Sequence, residues 1–507
     1  MTPKPCNSLI LLSDEQDAMA LSCAGHAWVK TPRLDALAAR GTRFVNAFTP
    51  SPICVPARAS LATGRWVHQD GRYWDNASGY DGAVRGWCHD LKDAGHRVEA
   101  IGKLHYQNAQ ADTGFTRQQR SMHLAGGIGQ VWGSVRDPLP DMARESHLFD
   151  KLGAGHSPYN QFDMGCAQDA AQWLAERAVT PCDKPWTLFV GFVAPHFPLV
   201  VPQRFLDAID IDALPLPTLH PDRGYRRHPW VQRQAVFSDA DAELGTDARR
   251  RLALASYCAL VSFLDEQVGV VLQALADSGQ EASTRVIFSS DHGDNQGARG
   301  MWNKSTLYRE ATNVPLIVSG PGVPRGQVCH TNTNLVDIAP TVLASAGLPI
   351  PGDLPGRSLV ALAAEPDDDQ RIGFSEYHAV GSPSAAFMLR QGRWAYHHYV
   401  GFAPELFDVV ADPDQMHDLA GDSAQVGVLK DFDLLLHTWL DPKMVDRRAK
   451  DDQNVLVARF GGRQQALQTG PAGATPAPRP ADQGFDRMLP DPAWPRKNRK
   501  PSRVRIE

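Results

Sequence analysis

Four short clusters of reactive side chains recur along the chain: Asp14-Glu15-Gln16, Lys103-Leu104-His105, His196 within Ala194-Pro195-His196-Phe197-Pro198, and Asp291-His292-Gly293-Asp294. The carboxylates of the first and last clusters offer hard oxygen donors of the kind that suit a hard divalent cation. Histidine and lysine are side chains that move protons and neutralise charge in transition states. A fifth stretch, Cys54-Val55-Pro56-Ala57-Arg58, sets a Cys, a Pro and an Arg two residues apart. A lone Cys is by default a small buried apolar residue, so its meaning depends on its context.

Each of the four clusters directly follows a short apolar, β-branched run, at residues 8–13, 98–102, 186–193 and 285–290, and another such run lies at 314–319. Their alternation with helical patterns predicts an α/β fold with a large, mostly parallel sheet flanked by helices. The carboxyl ends of parallel strands line one edge of a sheet, where ligand crevices form, so widely spaced clusters converge there. One solvated loop explains one cluster; it does not explain four at strand ends.

Other elements follow from caps and periodicity. Thr31 reads as an N-cap with Pro32 at the first helical position, Leu34 and Leu37 on one face and Gly41 as the stop. Leu252, Tyr257, Leu260, Val261, Leu264, Val268, Val271 and Leu275 recur at spacings of three and four, predicting a helix over 246–278. Residues 334–346 form another helix despite Pro340. From Phe374 the pattern shifts to short strand-like runs such as 394–400. The expected organisation is a catalytic α/β domain at 1–370, a smaller C-terminal α+β subdomain at 371–470, and a Pro-rich, then basic tail at 471–507. That tail reads as an oligomerisation arm docking on a neighbouring subunit.

Hydrophobic residues at 43% and charged residues at 21% are ordinary for a globular protein. A net charge of -6 gives no basic footprint, which argues against nucleic acid as a partner. The apolar run Leu9-Ile10-Leu11-Leu12 is too short for a signal-peptide core, and no membrane span is expected. The eight Cys are scattered without a CxxC pair, which predicts reduced thiols in a cytoplasmic protein and argues against a Cys-pair metal site.

The run from Pro50 through Cys54-Val55-Pro56-Ala57-Arg58 to Leu61-Ala62-Thr63-Gly64-Arg65 resembles the type I sulfatase motif, within an alkaline phosphatase-like fold. The order of Gly-Lys-x-His, Pro-His-x-Pro, Asp-His-Gly-Asp and a later Lys, here Lys304, is similar too, over roughly residues 7–419. Tyr73-Trp74-Asp75-Asn76-Ala77 looks like a run found in choline sulfatases, which makes Asn76 a sulfate contact. Ala57 and Ala62 depart from the commoner residues but leave the Cys, Pro and Arg intact.

What the resemblance implies is specific. A formylglycine-generating enzyme reads the motif and oxidises Cys54 to formylglycine (3-oxoalanine), whose hydrated aldehyde is the nucleophile. Asp14, Glu15, position 54, Asp291 and His292 hold one divalent cation: Ca2+ foremost, with Mn2+ admitted by the imidazole, and Mg2+ also compatible. Gln16 is an alternative ligand to Glu15, and Asp294 supports the turn. Lys103 and Lys304 neutralise charge on the sulfate oxygens, and His196 protonates the leaving alcohol. His105 takes the proton of the second hydroxyl. Arg58 clamps the carboxylates. The implied assembly is a homo-oligomer, dimer or tetramer, acting on a small sulfate ester.

Three rivals stand beside this reading. The phosphonate monoester or phosphodiester branch of the superfamily shares the nucleophile and the Asp-His pair, but usually lacks Gly-Lys-x-His. A catalytically silent metal-binding homologue would have lost one of the reactive residues, and none is missing. A two-zinc phosphatase with a Ser or Thr nucleophile needs a second His and Asp set, for which the sequence offers no clear candidate. Trp74, Tyr80, Trp132 and Trp302 lie near the motifs, either shaping a pocket for an aryl or choline-like group or serving as core aromatics.

Overall fold

The computed structural model describes residues 4–140, 148–237, 240–469, 475 and 477. Its centre is an eight-stranded sheet. The strands are β1 (Asn7–Asp14), β2 (Gly41–Phe44), β3 (Val98–Lys103), β4 (Arg117–Met122), β5 (Thr187–Pro195), β6 (Thr284–Ser290), β7 (Leu316–Ser319) and β8 (Gln327–Cys329). They lie in the order β8-β2-β7-β6-β1-β5-β3-β4. Every pairing is parallel except those of β7, which runs antiparallel to β2 and β6.

Strand β1 is buried on both faces, as a central parallel strand must be. Leu9 and Leu11 pack on one side with α1 (Pro32–Ala39), α4 (Pro158–Val179) and α5 (Asp247–Asp277). Ile10 and Leu12 face α2 (Cys54–Thr63), α3 (Trp87–Asp93) and α6 (Ile338–Ala346) on the other. The two-residue alternation of the strand therefore builds both cores of a three-layer sandwich.

The long helix starts where expected: Thr246 is the N-cap of α5 and its side chain accepts from Arg249 N. By length and apolar composition α5 could cross a membrane, contrary to the expectation that no stretch approaches a span. Its burial between the sheet and α4 accounts for that composition. In α6, Pro340 falls in the first turn, where its missing N–H breaks no helical bond.

Two expectations about α1 are corrected. The Thr31 side chain makes no cap bond; Arg33 N and Leu34 N donate instead to the carboxylate of Asp265 on α5, at 3.1 and 2.8 Å. Gly41 does not stop the helix but opens β2, where a Cβ would lie 2.1 Å from Val318 O on the paired strand. The close approach of the strands requires glycine there.

Beyond the sandwich, β9 (Gly373–Tyr377), β10 (Ala386–Gln391), β11 (Trp394–Tyr399) and β12 (Glu405–Asp408) form an antiparallel sheet in sequence order. Phe374, Phe387, Leu389, Tyr396 and Leu406 on one face pack on α7 (Val426–Trp439) through Phe432 and Leu436. The other face packs on the main body, including Ile53 beside the Cys54 helix. The basic end of the tail lies outside the described residues.

Candidate active site

Helix α2 places Cys54 at its first position, and every residue of that helix is buried. The sequence solves the problem of its orphan amides locally. Pro56 in the first turn has no N–H to satisfy, and Val55 N donates to Asn76 Oδ1 at 3.0 Å. Gly64 closes the helix in the left-handed conformation, with its N–H on Ser60 O. Asn76 thus supports the helix that carries the nucleophile position, and its amide nitrogen turns toward Gln130.

Arg58, one turn along, is the centre of the site. Its Nη2 donates to Asp14 Oδ2 at 2.8 Å, its Nε to Asp291 Oδ2 at 2.7 Å, and its Nη1 to Lys103 O at 2.9 Å. One guanidinium therefore ties α2 to the ends of β1, β3 and β6. Asp14 is fixed through Oδ2 and its Oδ1 points toward Cys54 Sγ, 3.7 Å away, whereas Asp291 Oδ1 also accepts from Glu15 N at 3.2 Å and His292 N at 3.0 Å. Lys103 Nζ adds a 2.7 Å contact to Asp14 Oδ2. Burial alone would raise the Asp14 pKa, but the Lys103 ammonium, with the Arg58 guanidinium, holds it well below the usual carboxylate range.

Asp14, Cys54, Asp291 and His292 bring one ligand atom each within 4.8 Å of one another. His292 Nδ1 lies 2.9 Å from Gly293 O, which only accepts, so Nδ1 carries the proton. The lone pair of Nε2 then points inward, 3.2 Å from Cys54 Sγ. A ring held this way is oriented as metal-binding histidines are. Two anchored carboxylates, an imidazole lone pair and position 54 make a donor set that fits a divalent cation.

Glu15 lies in an adjoining group with Asp14 and His196. It adopts φ 69°, Oε2 accepts from Lys304 Nζ at 2.9 Å, and Oε1 is buried with no partner among the described residues. Burial pushes its pKa up to about 8 against the pull of Lys304. Gln16 is committed elsewhere: its Oε1 accepts from Ser13 Oγ and its Nε2 donates to Ala20 O. Asp294 accepts from Gln296 N at 2.6 Å, which holds the turn.

His196 follows β5. Its Nδ1 donates to Phe197 O at 2.7 Å, and its Nε2 lies 3.4 Å from Glu15 Oε2 and 3.8 Å from Asp14 Oδ1. The ring stacks on Phe197 at 4.0 Å, and Lys304 Nζ sits 5.0 Å from the same phenyl. Burial, with Lys304 and Lys103 nearby, drives the His196 pKa well below the usual range, so the ring is neutral. Lys304 shows the opposite balance: burial disfavours its charge, but Cys54, Glu15 and Asp14 raise its pKa. His105 follows β3 with φ 59° and is likewise kept neutral, chiefly by burial and by Lys103 and Arg58.

Sequence reading missed three contributors. Asp163 on α4 accepts from Val193 N and Ala194 N at 2.7 and 2.8 Å, pinning the end of β5 from which His196 projects. Tyr159 packs edge-on against His196 at 6.4 Å. Thr475 lies on His105, with Oγ1 2.8 Å from Nε2. None of the three sits in a motif. The four aromatics near the motifs are all buried within hydrophobic clusters: Trp302 beside α5, Tyr80 beside α3, Trp132 and Trp74 against the C-terminal sheet.

A second His and Asp set does exist, at His220, Asp222 and Asp241. Arg250 fills it, donating to both oxygens of Asp241 and to Asp222.

The Sulfatase family profile spans residues 7–348, and that of N-sulphoglucosamine sulphohydrolase, C-terminal, spans 297–439. A choline-sulfatase of Rhizobium meliloti (strain 1021) is 30% identical over 445 residues, 83% of each chain. Arylsulfatase K of Bos taurus is 28% identical over 451 residues, 84% of this chain and 80% of the relative. A phosphonate monoester hydrolase of Agrobacterium radiobacter superposes with a TM-score of 0.68 at 23% identity, covering 85% of this chain and 95% of its own. A 2-O GAG sulfatase does so at 0.67 and 21%, covering 94% and 99%. At such identities these two likenesses show the fold. The matched profile covers well over half the chain and the Rhizobium relative most of it, so this chain belongs to the type I sulfatases of the alkaline phosphatase superfamily and is a sulfuric ester hydrolase.

Proposed function

We propose that the chain hydrolyses aryl or alkyl sulfate monoesters to alcohol and sulfate, with formylglycine formed from Cys54 and one divalent cation, Ca2+ foremost and Mn2+ or Mg2+ as the other candidates. The observation that carries this reading is the position of Cys54 Sγ, within 3.7 Å of both Asp14 Oδ1 and His292 Nε2 at the first turn of a buried helix. Asp14, Asp291 and His292 would hold the cation, with Glu15 beside them. When bound, the cation polarises a sulfate oxygen and acidifies a hydroxyl of the hydrated aldehyde.

The chain's own residues supply the rest. Arg58, Lys103 and Lys304 face Asp14, Asp291 and Glu15, and burial holds Glu15 toward its neutral form, so the cations are not outnumbered. A dication therefore leaves the pocket with an excess of positive charge for a monoanionic sulfate ester. Lys103 and Lys304 lie where they can neutralise equatorial oxygens. Lys304, kept protonated against burial by its acidic neighbours, would supply the proton to the leaving oxygen, and His196, neutral and held by Phe197 through Nδ1, would present the Nε2 lone pair that orients or relays it. His105, also neutral, is a base for regenerating the aldehyde. Asn76, whose amide nitrogen lies 3.5 Å from Gln130 Oε1, keeps its second amide hydrogen for a sulfate oxygen. Maturation by a formylglycine-generating enzyme, a cytoplasmic setting and a homo-oligomer belong to the same reading; that all eight cysteines are free supports the reducing compartment. We place the domain boundaries near 370 and 470, the C-terminal sheet lying between them.

Lys103 and His105 favour sulfate over a phosphodiester or phosphonate monoester, which must fit a second substituent, an ester arm or a P–C group, among the same groups. The test is a matched pair of aryl esters on protein whose residue 54 is shown by peptide mass to be the aldehyde. The expected result is a higher kcat/KM for the sulfate. Equal or better kcat/KM for the phosphonate monoester, or full activity with an unmodified Cys54, would overturn the proposal.

A further inference from the structure

Thr475 lies beyond the last described helix, Arg463–Thr469, yet it sits in the active site. Its Oγ1 is 2.8 Å from His105 Nε2, and its carbonyl oxygen accepts from the hydroxyl of Tyr159. Two residues on, Ala477 packs against the hydrophobic cluster that includes Val193 and Ala194 of β5. Tyr159 is the same ring that meets His196 edge-on. A short piece of the C-terminal segment thus bridges the two catalytic histidines of the proposed reaction.

His105 needs such a partner. It is buried, its backbone adopts φ 59°, and its amide donates to Met122 O at 2.8 Å. Its Nδ1 has no partner among the described residues. A neutral imidazole carries one proton; the Thr475 hydroxyl can pair with Nε2 in either direction, but a buried N–H left without a partner at Nδ1 is costlier than a bare lone pair there, which puts the proton on Nε2. We infer that Thr475 is a positioning residue for His105: its hydroxyl oxygen accepts the Nε2 proton, fixes that tautomer, and leaves the Nδ1 lone pair as the base.

The inference rests on the proposed role of His105 in regenerating the aldehyde. There Nδ1 takes the proton of the second hydroxyl at position 54, the O–H pair closes to C=O, and sulfate departs with the C–O pair. This step follows departure of the alcohol, so slowing it lowers kcat and KM together and leaves kcat/KM unchanged.

Two variants of the full chain separate the hydroxyl from its shape: Thr475→Val removes it and Thr475→Ser keeps it. In 15N-histidine NMR of the unmodified Cys54 protein, wild type and Thr475→Ser should show His105 as a single Nε2–H tautomer. Thr475→Val should show a mixture. In the matured enzyme Thr475→Val should lose about tenfold in kcat, a fraction of what a proton-transfer group contributes, with kcat/KM for an aryl sulfate preserved and Thr475→Ser near wild type. An unchanged tautomer and unchanged kcat in Thr475→Val would overturn the inference. So would equal losses of kcat/KM in both variants, which would mark a packing role only. If wild type itself fails to turn over sulfate esters, the sulfatase mechanism falls while the tautomer measurement still decides the role of Thr475.

Discussion

Two places in this molecule gather buried aspartate, histidine and an arginine, and they are built to opposite ends. At Asp14, Asp291 and His292, Arg58 takes Oδ2 of each carboxylate, and the second oxygen of Asp14 remains turned toward Cys54. At Asp241, Arg250 takes both oxygens, Trp302 Nε1 adds a bond to Oδ1, and His220 Nε2 contacts Oδ2 at 3.0 Å. Composition is nearly the same. What differs is how much of the carboxylate is spoken for. A metal needs an oxygen that the protein has anchored without consuming: Asp14 Oδ1 takes no N–H donor among the described residues, whereas both oxygens of Asp241 are taken.

The largest effect should come from the open cluster. Asp291→Ala is expected to lower kcat by about a thousandfold or more, on the scale of losing metal assistance and charge stabilisation, while Asp14 still holds Arg58 and the fold persists. Circular dichroism with kinetics on an aryl sulfate checks both halves. Near-normal turnover would erase the distinction between the clusters.

The closed cluster should answer in stability instead. Asp241→Ala leaves Arg250 buried without its main partner, and should cost about 3 kcal/mol in urea unfolding, while kcat of the folded fraction stays within twofold of wild type. A loss of metal content in this variant would show that the second cluster binds a cation after all. Chelation sharpens the same contrast. Removing divalent ions should lower Tm and abolish turnover in wild type, and should no longer shift Tm in Asp291→Ala; a Tm shift that survives there would place the ion elsewhere.

The smallest expected effect is in acid. Burial pushes the Asp241 pKa up, but the bonds from Arg250 and Trp302 and the His220 contact outweigh it, so the folded value lies below the ordinary one. The stability it contributes is therefore present above its unfolded pKa, about 3.9, and is lost as pH falls through the lower folded value. The Tm gap between wild type and Asp241→Asn should be constant near neutrality and narrow below about pH 4. A gap that widens in acid would reverse the sign of the argument.

How much of this was legible depended on where the information is stored. The strands ending in Asp14, Lys103, Pro195 and Ser290 are apolar runs buried on both faces, so their sequence and their environment agree. The motifs after them could be placed at one edge from that alone. Strand β4, Arg117-Gln118-Gln119-Arg120-Ser121-Met122, could not be read, because an edge strand is shielded by polar side chains rather than built from apolar ones. Helix α4 was missed because its inward face mixes Asn160, Asp163 and Asp169 with Phe162 and Trp173, which blurs the apolar period. Asp163 pins the His196 loop from that blurred face. Thr475 carried no signal at all, since one hydroxyl in a Pro-rich tail has no pattern to be recognised by.

Asp265 completes a helix that lies far from it in sequence. It supplies, from 232 positions along the chain, the cap that Arg33 N in the first helix takes from no side chain of its own. Eight residues are too few to hold a helix in water unaided. Residues 32–39 are therefore held helical in the native state by the long helix docked beside them, a helix that begins more than two hundred residues further along the chain. This long-range cap thus makes one helix depend on another for its own start.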